Sequence, residues 1–467
     1  MYVRLERLGW TVHVMTPQAA KALLTSSKTF PKVTDTDFAG TLAGKFLAGP
    51  NVMSLSGQRW KDHRLIINPA FHSILPIQLF GKKTSKLFSV LDSKYENQKH
   101  KPFTIDVDDI LFRWSLDVLG EGILGIDFQG LEGDESNPWT IIYKQFDHDV
   151  KNPLFVILPQ LDQQFRWLFP KRQAAHDNLT KFHSMIYEVI CNKRKLLKKQ
   201  QERGILSASS LFKHQGQNGD EEGEDKSKKD LLTLMLESEF SKKLTPLTDE
   251  ELINNVCVFF AAGHDTTKST VAFALYYLSK YPKIQEKARK EAIEVLCANN
   301  QDNDEDILPT RRQLKQLKYI NQIIKEVLRL QGSVVSFVTP RIATEDTQIV
   351  NQFIPKNTMV SLNIYDLHRN ENVWSNSEAF DPDRFSSNGE WENQPHNNFT
   401  WIAFGGGERK CIGFKFNIAE QLVLLTMLLR KYEFSLPDGS IHHDHPITNN
   451  IVVMNPIDMR ITFKKRY

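Results

Sequence analysis

The chain has 467 residues, 40% of them hydrophobic and 25% charged, with a formal net charge of +3. That near balance gives no reason to expect nucleic acid as a partner. The cysteines, Cys191, Cys257, Cys297 and Cys411, lie far apart, without the spacing of a metal site or a disulfide framework, which suits a reducing compartment. No run approaches the ~18–20 apolar residues of a membrane span, and the first residues lack the apolar core of a signal peptide.

Length alone would allow about three ordinary domains. No Pro/Gly/Ser-rich linker divides the chain, so the expectation is a single domain over 1–467, with 29 Phe to fill a large apolar interior. Tyr2 to Met15 reads as a strand pair and Pro17 to Ser26 as a helix. In Gln58-Arg-Trp-Lys-Asp-His-Arg, Trp60 and Arg64 are four apart and share a helical face. An indole N–H and a guanidinium could together hold a carboxylate; taken alone, the pair is better explained by a surface helix with a packed Trp and a solvated Arg.

From about 80 to 200 the pattern is helical, with aromatic interruptions between Phe155 and Phe169 and a long basic helix over 171–203. Residues 204–230 break it with a Ser/Gly/Gln stretch and a charge run, and read as a disordered insert. Thr248-Asp-Glu-Glu251 is a capping box. It opens a helix of about 33 residues, long for a globular helix, that ends at Pro282. In its middle lies Ala261-Ala-Gly-His-Asp-Thr-Thr-Lys. Ala262 and Gly263 remove bulk, and Asp265 and Thr266 place a carboxylate and a hydroxyl in an apolar stretch, a pair suited to moving protons. A polar patch facing water is the competing reading. His264 lies between these positions and has no assigned role.

Helix 317–330 carries Glu326 and Arg329, three apart, a common surface pair worth only ~0.2–0.5 kcal/mol. Strand-like segments follow (Val338 to Arg341, Gln348 to Val350, Thr358 to Leu362), then Phe380-Asp-Pro-Asp-Arg-Phe385, and a last strand group from Tyr432 to Arg466. Between them, Gly405 to Gly407 form a turn after Phe404. Cys411 and Gly413 follow at the entrance of a helix with apolar residues at 416, 419, 422, 425 and 428. Unpaired N–H groups at a helix start, with Arg409 and Lys410 beside it, favour the thiolate of Cys411. A buried, inert cysteine beside a glycine turn is the bland alternative.

The 399–420 stretch resembles the haem-binding loop of the cytochrome P-450 family, Phe-x-x-Gly-x-Arg-x-Cys-x-Gly, matched by Phe404, Gly407, Arg409, Cys411 and Gly413. The other elements resemble that family's motifs in the same order: Trp60-x-x-x-Arg64, Ala262-Gly263-x-Asp265-Thr266-Thr267, Glu326-x-x-Arg329 and Phe380–Phe385 with Arg384. The resemblance implies a mainly α fold, a large helical domain with a long central helix and a small β-rich region. It implies non-covalent haem b, because Ala262 stands where covalently attached members carry a glutamate. Cys411 would be the metal ligand. Trp60, Arg64, Arg341 and Arg409 would hold propionates, with Ala262, Gly263, Phe404, Gly405 and Gly413 around the cofactor. Thr266 and Asp265 would be catalytic, and Glu326, Arg329 and Arg384 a structural brace.

The reaction implied is monooxygenation of a hydrophobic small molecule. No nicotinamide or flavin motif is present, so electrons would come from an NADPH-cytochrome reductase, a flavoprotein, with cytochrome b5 as an optional second donor. Arg59, Lys61, Lys410 and Lys415 would give a basic docking face. The alternatives are a thiolate-haem isomerase or dehydratase acting on oxidised lipids, and a catalytically inactive haem- or ligand-binding protein. Substrate would meet the loop 30–56, residues near 140–190, Phe259 to Gly263, Ser333 to Val338 and Asn449 to Met454, with Val334, Val335, Phe337, Ile451 and Val452 as apolar contacts. The chain is expected to be a monomer. Full-length relatives of this type sit on the cytosolic face of the endoplasmic reticulum membrane. The membrane anchor, proline-rich hinge and first helix usual in them are not found in this sequence.

Overall fold

A computed structural model of the chain describes residues 1–6, 9–33, 40–72, 75–95, 101–133, 137–203, 229–241, 244–297, 305–336, 339–395, 397–449 and 453–467. They group into two compact units, one built from residues 1–33, 77–115 and 265–467, the other from 34–76 and 116–264. The expected insert at 204–230 lies outside the described residues except for Lys229 and Asp230. Asp230 caps the helix Leu231–Glu237 and accepts from Lys193 Nζ at 2.6 Å. Phe337, Val338, Ile451 and Val452 also lie outside the described residues.

The first unit is arranged on the helix Phe414–Lys431. It is apolar nearly all round, and every residue from Ala419 to its end is buried, as a helix without a wet face must be. Around it pack the helices Ile77–Lys94, Pro282–Leu296 and Lys318–Leu330, with Phe80 meeting Phe416 edge to face at 5.0 Å. The N-terminal strand pair forms as expected, Tyr2–Glu6 with Gly9–Val14. It continues into Met359–Leu362, which pairs in parallel with Val12 opposite Val360, and then into Arg341–Ile342. Alternation along these strands turns Val14, Val360 and Leu362 into a core with Leu23, Leu24 and Phe30. The neighbouring helix Pro17–Thr25 begins at Thr16, whose hydroxyl accepts from the Ala19 N–H.

One strand departs from the sequence pattern. Phe103–Asp106, inside the stretch read as helical, pairs with Arg460–Lys465, and that strand also pairs with Tyr432–Ser435. The pairing stacks Phe103 on Phe463 at 5.9 Å and brings Thr104 and Thr462 hydroxyls to 2.8 Å. A strand this short has no stable form without its partners, and those partners lie at the far end of the chain.

The second unit is helical, with Gly57–His72, Pro138–Val150, Pro170–Glu202 and the early turns of Asp249–Lys280. Its core is aromatic: Phe46 contacts Phe146 at 4.2 Å, and Phe128 stacks on Phe260 at 5.7 Å. A buried anion ties its loops together. Asp162 accepts from Arg172 Nε at 2.7 Å and Nη2 at 2.6 Å, from the Leu42 N–H at 2.8 Å, and shares a 2.8 Å bond with His176 Nε2.

The long helix Asp249–Lys280 contributes residues up to His264 to the second unit and those from Asp265 to the first. Its start is the expected capping box: the Glu251 N–H donates to Thr248 Oγ1 at 3.2 Å, and the Thr248 N–H donates to Glu251 Oε2 at 2.8 Å. Glu251 also takes Arg59 Nε at 2.7 Å and His63 Nε2 at 3.1 Å. Desolvation opposes ionisation of this carboxyl, yet the Arg59, Thr248 and His63 hydrogen bonds pull it down to about 2. Arg59, expected on a basic docking face, is therefore committed to an internal ion pair.

Candidate active site

The loop before the central helix of the first unit is set by its backbone. The Gly405 N–H donates to Ile402 O at 2.8 Å, the Lys410 N–H to Gly407 O at 3.2 Å, and the Cys411 N–H back to Phe404 O at 2.9 Å. Gly405 and Gly407 have φ of +66° and +63°, the left-handed region in which a side chain is strained. At Gly407 a Cβ would also lie 2.4 Å from Leu24 O, whereas at Gly405 it would meet nothing within 4 Å. Gly405→Ala is therefore expected to cost about 1 kcal/mol, and Gly407→Ala measurably more. Urea denaturation of the holoproteins checks this, and equal costs would contradict the packing argument.

This loop presents Cys411 two residues before Gly413, the N-cap of Phe414–Lys431. Cys411 is exposed, while Cys257 and Cys297 are buried, so Cys411 is not a buried core cysteine. Phe404 and Phe414 close the loop edge to face at 4.8 Å, and Lys410 lies over the Phe414 ring at 4.4 Å. Lys410 and Lys415 are exposed.

The structure brings together Glu326, Arg329 and Arg384, the residues expected as a brace. Arg329 donates to both carboxylate oxygens of Glu326, at 2.7 and 2.8 Å. It also donates to the carbonyls of His368 at 2.8 Å, Ser377 at 2.7 Å and Ala379 at 3.1 Å. Arg384 Nε approaches Glu326 Oε1 at 3.4 Å. His368, which sequence reasoning missed, accepts the Ile402 N–H on Nε2 at 2.9 Å. Burial, aided by the charges of Arg329 and Arg369, holds its imidazole neutral down to about pH 3. Trp401 Nε1 donates to Lys325 O at 3.1 Å. The loop thus hangs from the Glu326–Arg329 pair by way of His368.

A cationic cluster stands in the same unit. The chain from Phe30 to Val33 runs along Pro340–Ile342, with the Val33 N–H on Pro340 O and the Ile342 N–H on Pro31 O, both at 3.0 Å. This lays Lys32 opposite Arg341. Arg341 is 3% exposed and donates through Nη1 to Phe30 O at 2.9 Å. Burial and the nearby charges of Arg409 and Arg341 push the Lys32 ammonium down to about 7. Lys32 was not singled out from the sequence because only the strand pairing brings it beside Arg341.

On the long helix, Asp265 is paired within its own segment. Buried Lys268, three residues on, reaches Asp265 Oδ1 at 3.6 Å and Asp108 Oδ1 at 2.8 Å. A lysine within an apolar helix was the available signal. The Thr266 carbonyl accepts from Thr270 Oγ1 at 2.8 Å and from Ser333 Oγ at 3.1 Å. Helical geometry continues unbroken through Ala261–Lys268. Glycine at 263 has a packing reason: a Cβ there would lie 2.9 Å from Leu119 Cδ2. Ala262 is exposed and Thr266 half-buried on a helix otherwise largely buried from Leu252 onward, and at i, i+4 they share an accessible face. In the other unit Trp60 is buried and Arg64 half-buried on Gly57–His72.

The Cytochrome P450 family model matches residues 6–463. The chain belongs to the cytochrome P450 family. It is 29% identical over 390 residues to probable cytochrome P450 4d20 of Drosophila melanogaster, covering 82% of this chain and 71% of that protein. Cytochrome P450 4c21 of Blattella germanica is 28% identical over 91% of this chain and 78% of its own length. For human cytochrome P450 4F8 the figures are 26%, 95% and 78%. The crystal structure of the cytochrome P450DA heme domain superposes with a TM-score of 0.77 at 22% identity, covering 100% of this chain and 90% of that one. The mainly α P450 fold is thereby established.

The cofactor of this family is haem b. The residues here fit it: an exposed thiol at the end of a backbone-braced loop suits a metal ligand, and the Lys32, Arg341 and Arg409 cations suit carboxylate side groups. No helix among the described residues is long and apolar enough to cross a membrane.

Proposed function

We propose that the chain is a haem-thiolate monooxygenase that inserts one atom of molecular oxygen into a hydrophobic substrate, taking electrons from NADPH through a flavoprotein reductase. The observation that carries this reading is the exposed Cys411 at the entrance of Phe414–Lys431, on a loop fixed by the Cys411–Phe404 backbone bond. Cys411 is the metal ligand in this proposal, with Phe404, Gly405, Arg409 and Gly413 around it. Trp60, Arg64, Arg341 and Arg409 hold the propionates. The bound haem supplies oxygen activation, and thiolate donation supports O–O cleavage.

The chain's own residues order the proton supply. Asp265, with Lys268 Nζ at 3.6 Å, carries a proton towards the helix face shared by Ala262 and Thr266. The Thr266 hydroxyl holds the proton at that face. Ala262 and Gly263 keep the face free of bulk. Retention of the Asp265–Thr266 pair weighs against the isomerase reading, whose chemistry needs no proton delivery to oxygen. Exposed Lys410 and Lys415 offer positive charge for an acidic reductase face.

The test is a reconstituted assay with NADPH, reductase and a panel of apolar substrates under 18O-labelled oxygen. One labelled oxygen atom per product is the expected result. Substrate rearrangement without label would establish the isomerase reading instead.

A further inference from the structure

Glu420 lies nine residues after Cys411, on the helix that the thiolate loop feeds, and is 1% exposed. Its Oε1 accepts from Thr267 Oγ1 at 2.5 Å and from Asn417 Nδ2 at 3.2 Å. Asn417 Nδ2 also reaches Thr267 Oγ1 at 2.7 Å, and Gln421 Nε2 holds Asn417 Oδ1 at 2.7 Å. Thr267 directly follows Thr266. On its other sides the same turn is held by Ser333 Oγ on the Thr266 carbonyl and by Ser269 on the Met454 carbonyl. The Glu420 and Asn417 contacts together tie this turn to the helix leading from Cys411.

Lys268 is engaged with Asp265 and Asp108. Among the described residues, no charged group of Ile77–Lys94, Pro282–Leu296 or Lys318–Leu330 acts on Glu420. Desolvation pushes its carboxyl up to about 8, against the pull of the Thr267 and Asn417 hydrogen bonds. Burial thus favours the protonated acid, which carries a donor as well as acceptors.

We propose that Glu420 is a positioning residue for the monooxygenase reaction: it clamps Thr267 and Asn417, and so aims the Asp265–Thr266 turn relative to the thiolate loop. This rests on the function proposed above. The clamp works in the neutral form of the acid that burial favours. A turn displaced by an ångström delivers protons badly, and such errors cost up to ~100-fold in productive chemistry. Mis-aimed protons release reduced oxygen as hydrogen peroxide, in the balance NADPH + H⁺ + O₂ → NADP⁺ + H₂O₂.

The experiment compares holoprotein of the wild type, Glu420→Gln, Glu420→Ala, Thr267→Val and the double variant Glu420→Ala/Thr267→Val. It reads the partition of NADPH between product and peroxide, and the urea unfolding midpoint from pH 5 to pH 9. Glu420→Ala and Thr267→Val are expected to lower product per NADPH by ~10-fold, with the double variant no worse than either alone. Glu420→Gln, isosteric and neutral, should restore coupling.

The pH readout is independent of turnover. Between about 4.5, the ordinary carboxyl value, and about 8 the folded state holds a proton that the unfolded state has lost. Wild-type stability should therefore fall with rising pH in that window relative to Glu420→Gln. Parallel midpoints for those two proteins, or Glu420→Ala with wild-type coupling and haem content, would overturn the clamp. A wild type that forms no labelled product would overturn the monooxygenase reading, while the midpoints still decide the state of Glu420.

Discussion

Cys411→Ser holoprotein is expected to lose the thiolate-type, red-shifted Soret band of the reduced carbon monoxide complex. Oxygen insertion should fall well beyond the ~100-fold that loss of a supporting outer partner costs at a metal site. A serine hydroxyl is far too weak an acid to supply the electron-rich anion that a cysteine thiolate offers here. The loop itself should survive, because its shape comes from the Cys411–Phe404 backbone bond and from the left-handed Gly405 and Gly407. The holoprotein should lose stability through the missing metal bond alone, so the haem-free forms of wild type and Cys411→Ser should unfold within ~0.5 kcal/mol of each other, as for an exposed substitution away from packing. Spectra of the holoproteins and urea curves of the haem-free forms separate the two effects. A retained thiolate band in Cys411→Ser would move the metal ligand to another residue and end the present assignment.

Arg329→Ala should destabilise the holoprotein by about 3–5 kcal/mol, the usual loss when one partner of a buried pair is removed. Glu326, at 0% exposure, would be left with Arg384 at 3.4 Å and the Asp381 N–H, without its bidentate partner, and the carbonyls of His368, Ser377 and Ala379 would lose their donor. The surface value expected for a Glu-x-x-Arg pair, a few tenths of a kcal/mol, does not apply once water is excluded. Arg329→Lys should recover little, because an ammonium cannot fork to both Glu326 oxygens while also reaching the carbonyls. Since His368 holds the Ile402 N–H, the damage should reach the cysteine loop. Haem content and the thiolate band should decay together on mild warming. An Arg329→Ala protein within 1 kcal/mol of wild type would show that the brace is ornamental.

The Cys411 loop, the capping box at Thr248, the N-terminal strand pair and the long central helix were legible because each rests on local rules. Glycine marks positive φ, a Thr and a Glu three apart mark a helix start, and apolar spacing marks which face is buried. The Glu326–Arg329–Arg384 brace was legible only through resemblance; by spacing it was an ordinary surface pair. Phe103–Asp106 was misread, since its strand state depends on Arg460–Lys465. Glu420 and Lys268 gave a weak signal, a charge on an apolar helix, that does not name its partner.

By itself, then, the sequence determined where the chain turns, where its helices begin, and which sulfur is offered at a helix entrance. These follow from the conformational limits of residues close in the chain. Only the tertiary structure decided that Glu420 would meet Thr267 across 153 residues, that Lys268 would engage Asp108, and that Arg59 would be spent on Glu251. Such pairings depend on the route of the backbone. The exclusion of water that raises the Glu420 carboxyl above its ordinary range exists only after its neighbours have packed.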